Sequence, residues 1–165
     1  MIPTNAVTSS GLTWSKIPHS RDYEFQLSGG CRGTLQHTSF WSSNFVAEIG
    51  ASRWLFRRSG FFGAEIVDTV TGPVFANFKQ GWGSKGTLTF SDGTHFQLVA
   101  KGCWSPVWTL SQDGHPVLSM RPRDKQAEIY DRRGASPDRL LLLTMFTLYR
   151  VLQGEEAAAA VIAAS

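Results

Sequence analysis

The sequence predicts an all-β fold with a C-terminal helix: a closed antiparallel barrel of about 12 strands that encloses a central hydrophobic α-helix. One observation is a series of short runs, from Leu12 to about Tyr130, in which apolar and polar residues alternate. Alternation with a period of two is typical of half-buried antiparallel strands. The other observation is a segment from Asp138 to Leu152 that is apolar on nearly every side, which indicates a helix enclosed on most faces.

The predicted strands direct one apolar face inward. In Tyr23–Leu27 the odd positions are apolar and the even positions are polar, and successive side chains of a strand point to opposite faces. The same pattern recurs along the chain. Its apolar positions are Phe45, Ala47 and Ile49; Trp54 and Phe56; Val74, Ala76 and Phe78; Leu88 and Phe90; and Phe96, Leu98 and Ala100, with further runs over 104–110, 117–120 and 127–130.

Turn residues separate these runs and predict hairpins. The pairs are Gly29-Gly30, Thr71-Gly72, Asp92-Gly93 and Asp113-Gly114, each of which supplies a residue that tolerates positive φ. So many strands in 165 residues must close on themselves or form two sheets to avoid open edges, and we favour closure. The length suits one domain, so we predict an N-terminal extension over residues 1–11 and a single barrel domain over 12–165.

The helix has recognisable start and stop signals. Ser136-Pro137-Asp138 combines a capping residue, a proline suited to the first helical position and an acidic residue that favours the helix N-terminus. We therefore expect the central helix over about 138–152. Gln153-Gly154 is expected to end it, followed by an Ala-rich tail over 155–165 that forms a short second helix or frays.

Composition excludes several classes of protein. Lys and Arg number 16 against 13 Asp and Glu, a net charge of +3 that is too small to indicate a nucleic-acid binder. Cys31 and Cys103 make no disulfide framework, so we expect a cytoplasmic protein, with one bridge left open. The apolar stretch Leu140 to Leu152 is shorter than the roughly 20 residues of a membrane span, and no signal peptide is evident before Gly11. We expect no transmembrane segment.

Three features carry a resemblance to a known family: the strand run from Tyr23 to Tyr130, the pattern Glu65-Ile66-Val67-Asp68-Thr69-Val70-Thr71-Gly72, and the helix from Asp138 to Leu152. Together they resemble the tubby-like C-terminal superfamily, which includes the LURP-one-related proteins and the phospholipid scramblases. The resemblance implies a closed barrel around a central C-terminal helix, and binding of phosphoinositide headgroups or work at lipid bilayers. The cysteine cluster and the spanning segment of scramblases are missing, so scrambling itself is not expected.

Basic residues fall in two groups that are candidates for binding an anionic ligand. One group lies on a predicted strand, with Lys79 and Lys85 further along the chain, and the other precedes the helix. The candidate ligand-binding residues are Arg57, Arg58, Lys79, Lys85, Arg132 and Arg133. Strand alternation directs Arg57 outward, whereas Arg58 shares the inward phase of Phe56 and is expected at the barrel rim. The alternative is a solvated outer face balanced by Asp124, Glu128 and Asp131.

No motif indicates catalysis, a metal or a cofactor. Gly81-Trp82-Gly83-Ser84-Lys85-Gly86 matches the spacing of a dinucleotide-binding loop, but a strand appears after it where a helix is required. A hairpin loop is the favoured interpretation, and a loop that cradles an anion with backbone N–H groups and Lys85 stays open. The four histidines and two cysteines show no metal-ligand spacing, and no nucleophile motif is present. We expect a protein that is not an enzyme.

Six tryptophans are many for this length. Trp54 and Trp108 lie in inward-phase runs and are expected in the core, whereas Trp82, in a glycine loop, is the candidate to touch a membrane interface or a partner. We therefore expect a non-enzymatic intracellular binding module for anionic phospholipid or a phosphorylated ligand. Two alternatives are a protein-interaction scaffold and a lipocalin-like carrier, the latter because Gly11-Leu12-Thr13-Trp14 resembles the start of that family.

Overall fold

The architecture is a barrel of antiparallel strands followed by one long helix. A computed structural model describes residues 10–27, 30–39, 43–83, 85–130 and 136–164. The strands are β1 (Ser10–Lys16), β2 (Tyr23–Leu27), β3 (Arg32–His37), β4 (Phe45–Ile49), β5 (Ser52–Ser59), β6 (Gly63–Asp68), β7 (Val74–Gln80), β8 (Lys85–Phe90), β9 (His95–Lys101), β10 (Val107–Gln112), β11 (His115–Arg121) and β12 (Gln126–Ile129). A 3-10 turn at Pro122–Asp124 joins β11 to β12, and α1 spans Pro137–Ala164.

Each strand pairs antiparallel with the next, and β1 closes the sheet by pairing with β12, with Leu12 opposite Ala127. None of the strands that the structure describes is therefore an edge strand that could recruit another chain by backbone pairing. The predicted closed barrel of about 12 strands is confirmed. Four of the predicted turn glycines have positive φ, namely Gly30, Gly72, Gly93 and Gly114, while Gly29 lies outside the described residues.

The meander gives the barrel two different ends. Because consecutive strands run in opposite directions, alternate hairpins lie at the same end. The end where α1 begins, here the helix-entry end, is the side on which β2 is followed by β3, β4 by β5, β6 by β7, β8 by β9 and β10 by β11. The end where α1 leaves, here the helix-exit end, is the side on which β1 is followed by β2, β3 by β4, β5 by β6, β7 by β8, β9 by β10 and β11 by β12.

α1 fills the barrel. Every residue from Leu140 to Tyr149 is buried, whichever side of the helix it lies on. The Phe146 ring packs edge-on against Phe56 at 5.6 Å between centroids and in a tilted arrangement against Phe78 at 5.5 Å. Thr144 and Thr147 satisfy their buried hydroxyls by donating to the Leu140 and Leu143 carbonyls at 2.8 and 2.9 Å. The predicted central helix is confirmed.

Strand β3 approaches α1 so closely at Gly33 that there is no room for a side chain at this position. A Cβ added to Gly33 in β3 would overlap the Met145 side chain of α1 and would lie 2.9 Å from the Glu48 carbonyl oxygen in β4. Because Gly33 has no Cβ, the backbone of β3 packs directly on α1. This contact helps to set the position of the helix inside the barrel.

The structure corrects the prediction for the end of the helix. Gln153-Gly154 does not stop α1, and the Ala-rich segment expected as a second helix or a tail continues the same helix to Ala164. A glycine inside a helix costs only about 1 kcal/mol relative to alanine. After Gly154, Glu155 and Glu156 comes a run of alanine, the best helix former. Gln153 itself is held in the helix, since its side chain donates to the Tyr149 hydroxyl at 2.8 Å.

Smaller corrections concern the strands and the tryptophans. Strand β1 begins at Ser10, inside the predicted extension over 1–11, whose first nine residues lie outside the described part of the chain. Trp104 was expected in a strand, but β10 begins only at Val107 and Trp104 lies in the connection before it. Trp54 and Trp108 pack against the core while remaining half-buried. Trp41 falls outside the described residues.

Candidate functional site

The helix-exit end exposes large aromatic side chains on three successive hairpins. Phe61 and Phe62 lie at the β5–β6 turn and are 96% and 74% exposed. Trp82 lies at the β7–β8 turn and is 95% exposed, and Trp104, in the β9–β10 connection, is 94% exposed. The predicted exposure of Trp82 is confirmed. Aromatic side chains grouped in this way on a surface commonly mark a contact with a membrane or another molecule.

Beside these hairpins the barrel mouth holds a cavity of about 820 Å³. Its volume lies within the range of roughly 300–1,000 Å³ common for ligand sites. The walls are mostly apolar and come from Phe78, Leu98 and Trp108 together with the exposed aromatics of the first two hairpins. The polar groups of the lining are Arg58, Gln80, Arg150 and Gln153.

Arg150 is the central charged group of this cavity. Its guanidinium lies over the Phe78 ring, 4.5 Å from the centroid, and donates to the side-chain oxygens of Gln153 at 2.6 Å and Gln80 at 3.1 Å. Burial is the main cause that lowers the pKa of Arg150; Tyr149 acts in the opposite direction, and the charge of Arg58 lowers it further. No carboxylate among the described residues pairs with Arg150.

The packing of the Phe78 ring explains how the Arg150 guanidinium is held at the cavity. Gly86 in β8 lies beneath the Phe78 ring, and a Cβ at that position would overlap the ring. The missing side chain leaves room for Phe78 to lie against the β8 backbone. The ring then supports the Arg150 guanidinium through a cation–π contact.

The structure separates the basic residues that the sequence grouped together. Arg58 lines the cavity at the barrel rim, as alternation predicted. Arg57 lies on the outer face, where its Nη2 is 2.8 Å from Oε2 of Glu65 in the next strand. Lys79 and Lys85 are exposed on positions of β7 and β8 that alternate with the buried ones. Arg132 and Arg133 lie outside the described residues, and the binding role of the whole group stays a prediction.

Sequence reasoning missed Arg150 as a site residue. The available signal was its place as the one charged residue in the apolar stretch from Leu140 to Leu152, with no acidic residue three or four positions away. Arginine is almost never buried without a partner. A lone charge on an apolar helix therefore indicates either a partner from elsewhere in the fold or a ligand.

Charge is unevenly distributed between the two ends. The turns at the helix-entry end carry Asp68, Asp92 and Asp113. Backbone N–H groups of Val70 and Thr71 lower the pKa of Asp68, and the hydroxyl and backbone N–H of Thr94 lower the pKa of Asp92. At the helix-exit end, cations outnumber carboxylates. The basic residues at or beside its hairpins are Lys16, Arg21, Arg58, Lys79, Lys85, Lys101, Arg121, Arg123, Lys125 and Arg150, against Asp22, Glu24, Asp124 and Glu155.

Other candidate chemistries find little support in the described ranges. No group of three His, Cys, Asp or Glu side chains there has the arrangement of a metal site. Cys31 and Cys103 are both free, so the bridge left open by the sequence does not form. Residues 81–83 lie in the turn of the β7–β8 hairpin, as favoured, and strand β8 begins at Lys85; Ser84 lies outside the described residues. In the part of the chain that is described, no helix has the length and hydropathy to cross a membrane.

Comparison with known proteins gives no assignment. Neither a scan against protein-family models nor searches of curated proteins and of solved structures found a match to this chain.

Proposed function

We propose that this chain is a non-enzymatic, cytoplasmic binding module that attaches to anionic phospholipid membranes through its helix-exit end. The observation that carries the proposal is the meeting of exposed aromatic hairpins and an excess of basic side chains at one end of the barrel. At the helix-entry end the turns carry carboxylates, and none of the described side chains there is an exposed Phe or Trp.

The two features have complementary effects at a bilayer. Tryptophan is enriched at membrane interfaces, and moving a Phe side chain out of water contributes about 1.5–3 kcal/mol. Basic side chains near an anionic surface contribute about 1 kcal/mol each, and salt screens this attraction. Phe61, Phe62 and Trp82 would enter the interface while the surrounding cations meet lipid headgroups.

The resemblance to the tubby-like superfamily supports the same proposal, because tubby-like domains are known for binding phosphoinositide headgroups. Membership of that superfamily is part of the proposal. A lipocalin-like carrier has less support, because such a protein holds its ligand inside the barrel and α1 occupies that space here. A protein-interaction scaffold is the outcome to consider if membranes are not bound.

The first test is co-sedimentation of the protein with vesicles of phosphatidylcholine alone, or with added phosphatidylserine or phosphoinositide, at low and physiological salt. We expect binding to the anionic vesicles only, weakened by salt. Replacing Phe61 and Trp82 together by Ala should reduce the binding by about tenfold or more, because two interfacial side chains are lost.

Val70→Ala is the matched control, since Val70 is an exposed apolar residue at a hairpin of the helix-entry end. It should bind vesicles as the unchanged protein does. Equal binding to neutral and anionic vesicles, or full binding by the Phe61 and Trp82 double variant, would contradict the proposal.

A further inference from the structure

The hydrogen bonds of Arg150 do not neutralise its charge, and they leave several of its N–H donors without an acceptor among the described residues. A guanidinium has five N–H donors, and two of its nitrogens are engaged by the amide oxygens of Gln80 and Gln153. Those amides are themselves anchored, because Gln80 donates to the Gly83 carbonyl at 3.0 Å and Gln153 donates to the Tyr149 hydroxyl. Neutral amides fix the orientation of the guanidinium without neutralising it.

Arg139, near the other end of the same helix, provides an internal comparison. Its guanidinium also lies over an aromatic ring, at 4.4 Å from the Phe90 centroid, but both of its terminal nitrogens are 3.4 Å from Oδ2 of Asp92. The chain thus supplies a carboxylate to the arginine at the helix-entry end. It supplies none, within the described residues, to the arginine at the helix-exit end.

A second unpaired cation lines the same cavity. Arg58 makes no salt bridge and no side-chain hydrogen bond with any residue that the structure describes. Arg58 is itself exposed at the rim, and its charge is near enough to Arg150 to lower the pKa of that residue, so the two like charges repel each other. An anion with two negative charges and several acceptor oxygens would neutralise both guanidinium groups at once.

The rest of the cavity indicates the form of the ligand. Its outer wall is apolar and comes from Phe61, Phe62 and Trp82, while Leu98 lies among the inner residues. The indole N–H of Trp108, another lining residue, is buried and has no acceptor among the described residues. A charged head held by arginines and an apolar portion packed on aromatic rings together describe an amphipathic anion.

We infer that the cavity between Arg58 and Arg150 binds a phosphate monoester, with the phosphate on the two guanidinium groups and the apolar part of its carrier against the aromatic rim. A phosphate monoester carries about two negative charges at neutral pH and matches the two arginines. The inference rests on the proposed function in that the cavity opens on the surface proposed to meet the bilayer. The carrier is either a lipid or a soluble phosphate ester, and both present the same group.

The experiment has a membrane arm and a soluble arm. Binding is measured to phosphatidylcholine vesicles that contain phosphatidic acid, a lipid phosphate monoester, or phosphatidylserine adjusted to equal surface charge. Titration calorimetry with glycerol 3-phosphate forms the soluble arm. The variants are Arg58→Gln, which removes a charge, and Arg150→Lys, which keeps the charge and loses the planar fork, each with its melting temperature measured.

Arg32→Gln is the matched control, because it removes one charge from an exposed position at the start of β3, at the helix-entry end and away from the cavity lining. We expect the unchanged protein to prefer phosphatidic acid over phosphatidylserine or to bind glycerol 3-phosphate. Arg58→Gln and Arg150→Lys should each lower that binding by about tenfold or more, and Arg32→Gln by less than about twofold.

The outcomes separate this inference from the proposed function. Binding to vesicles that depends on Phe61 and Trp82 but is unchanged in Arg58→Gln and Arg150→Lys would overturn the inference and leave membrane attachment standing. Binding of glycerol 3-phosphate that depends on both arginines, without any binding to vesicles, would support the cavity and contradict the membrane proposal. Absence of binding in both arms would overturn both.

Discussion

Replacing Phe146 by Asp is expected to yield a chain that does not fold. The Phe146 side chain is fully buried at the centre of the barrel, with Phe56, Phe78 and Tyr149 around it at 5.5–5.8 Å between ring centroids. A carboxylate there would lose its hydration without gaining a partner. The cost would be several kcal/mol against a total stability of about 5–15 kcal/mol for an ordinary domain. Circular dichroism and size-exclusion chromatography of the purified or refolded chain would measure the result.

Two variants control for this experiment. Phe146→Leu keeps the centre apolar and should fold with a lower melting temperature, because a cavity replaces part of the ring. Val161→Asp places the same charge on the same helix at a position that is 70% exposed, and should leave folding intact. A soluble Phe146→Asp protein with an unchanged melting temperature would contradict the central position of α1. Leu142→Asp should behave like Phe146→Asp, since Leu142 is buried to the same extent.

Replacing Gly33 by Val is expected to have the second-largest effect. The new side chain would meet Met145 and Leu141 of α1 and the carbonyl oxygen of Glu48. The Met145 side chain can move, but the Glu48 carbonyl belongs to the barrel backbone and cannot yield without disturbing the β3–β4 ladder. Overpacking of this kind costs about 1–3 kcal/mol, so the melting temperature should fall by several degrees.

Gly11→Val is the matched control, because Gly11 also lies in a strand and a Cβ there would have nothing within 4 Å. It should leave the melting temperature nearly unchanged. Because Met145→Ala removes the flexible end that a Cβ at Gly33 would meet, Gly33→Ala and Met145→Ala together should lower the melting temperature by less than the sum of the two single changes. Equal melting temperatures for the Gly33 and Gly11 variants would refute the close approach of β3 to α1.

The fold was predictable because two patterns of apolar residues in the sequence are unambiguous. Alternation as in Tyr23–Leu27 fits only a strand with one buried face, and the apolar run after Asp138 has no polar stripe that could face water. The end of the helix was not predictable from Gly154. The stop signal there is weak, and the side-chain contacts of Gln153 that hold the helix together depend on the folded barrel.

The candidate site was predictable only in part. Alternation separated Arg57 from Arg58, and Trp82 was expected to be exposed from its place in a glycine loop. The importance of Arg150 depends on Gln80, which lies 70 positions earlier in the chain, and on the space that Gly86 leaves for a ring. Such contacts depend on the register of the strands, and no local pattern in the sequence predicts which strand ends lie next to the helix.

The order of elements along the chain has a consequence for synthesis. The helix that fills the barrel follows strands β1 to β12 in the chain, and the barrel closes only when the first of these strands pairs with the last. During translation, the inner faces of the early strands therefore leave the ribosome before the segment that covers them. Such a chain assembles late and through distant contacts, which makes folding slow and exposes apolar strands to aggregation. Production of this protein should accordingly benefit from lower temperature and from chaperones that protect unfinished chains.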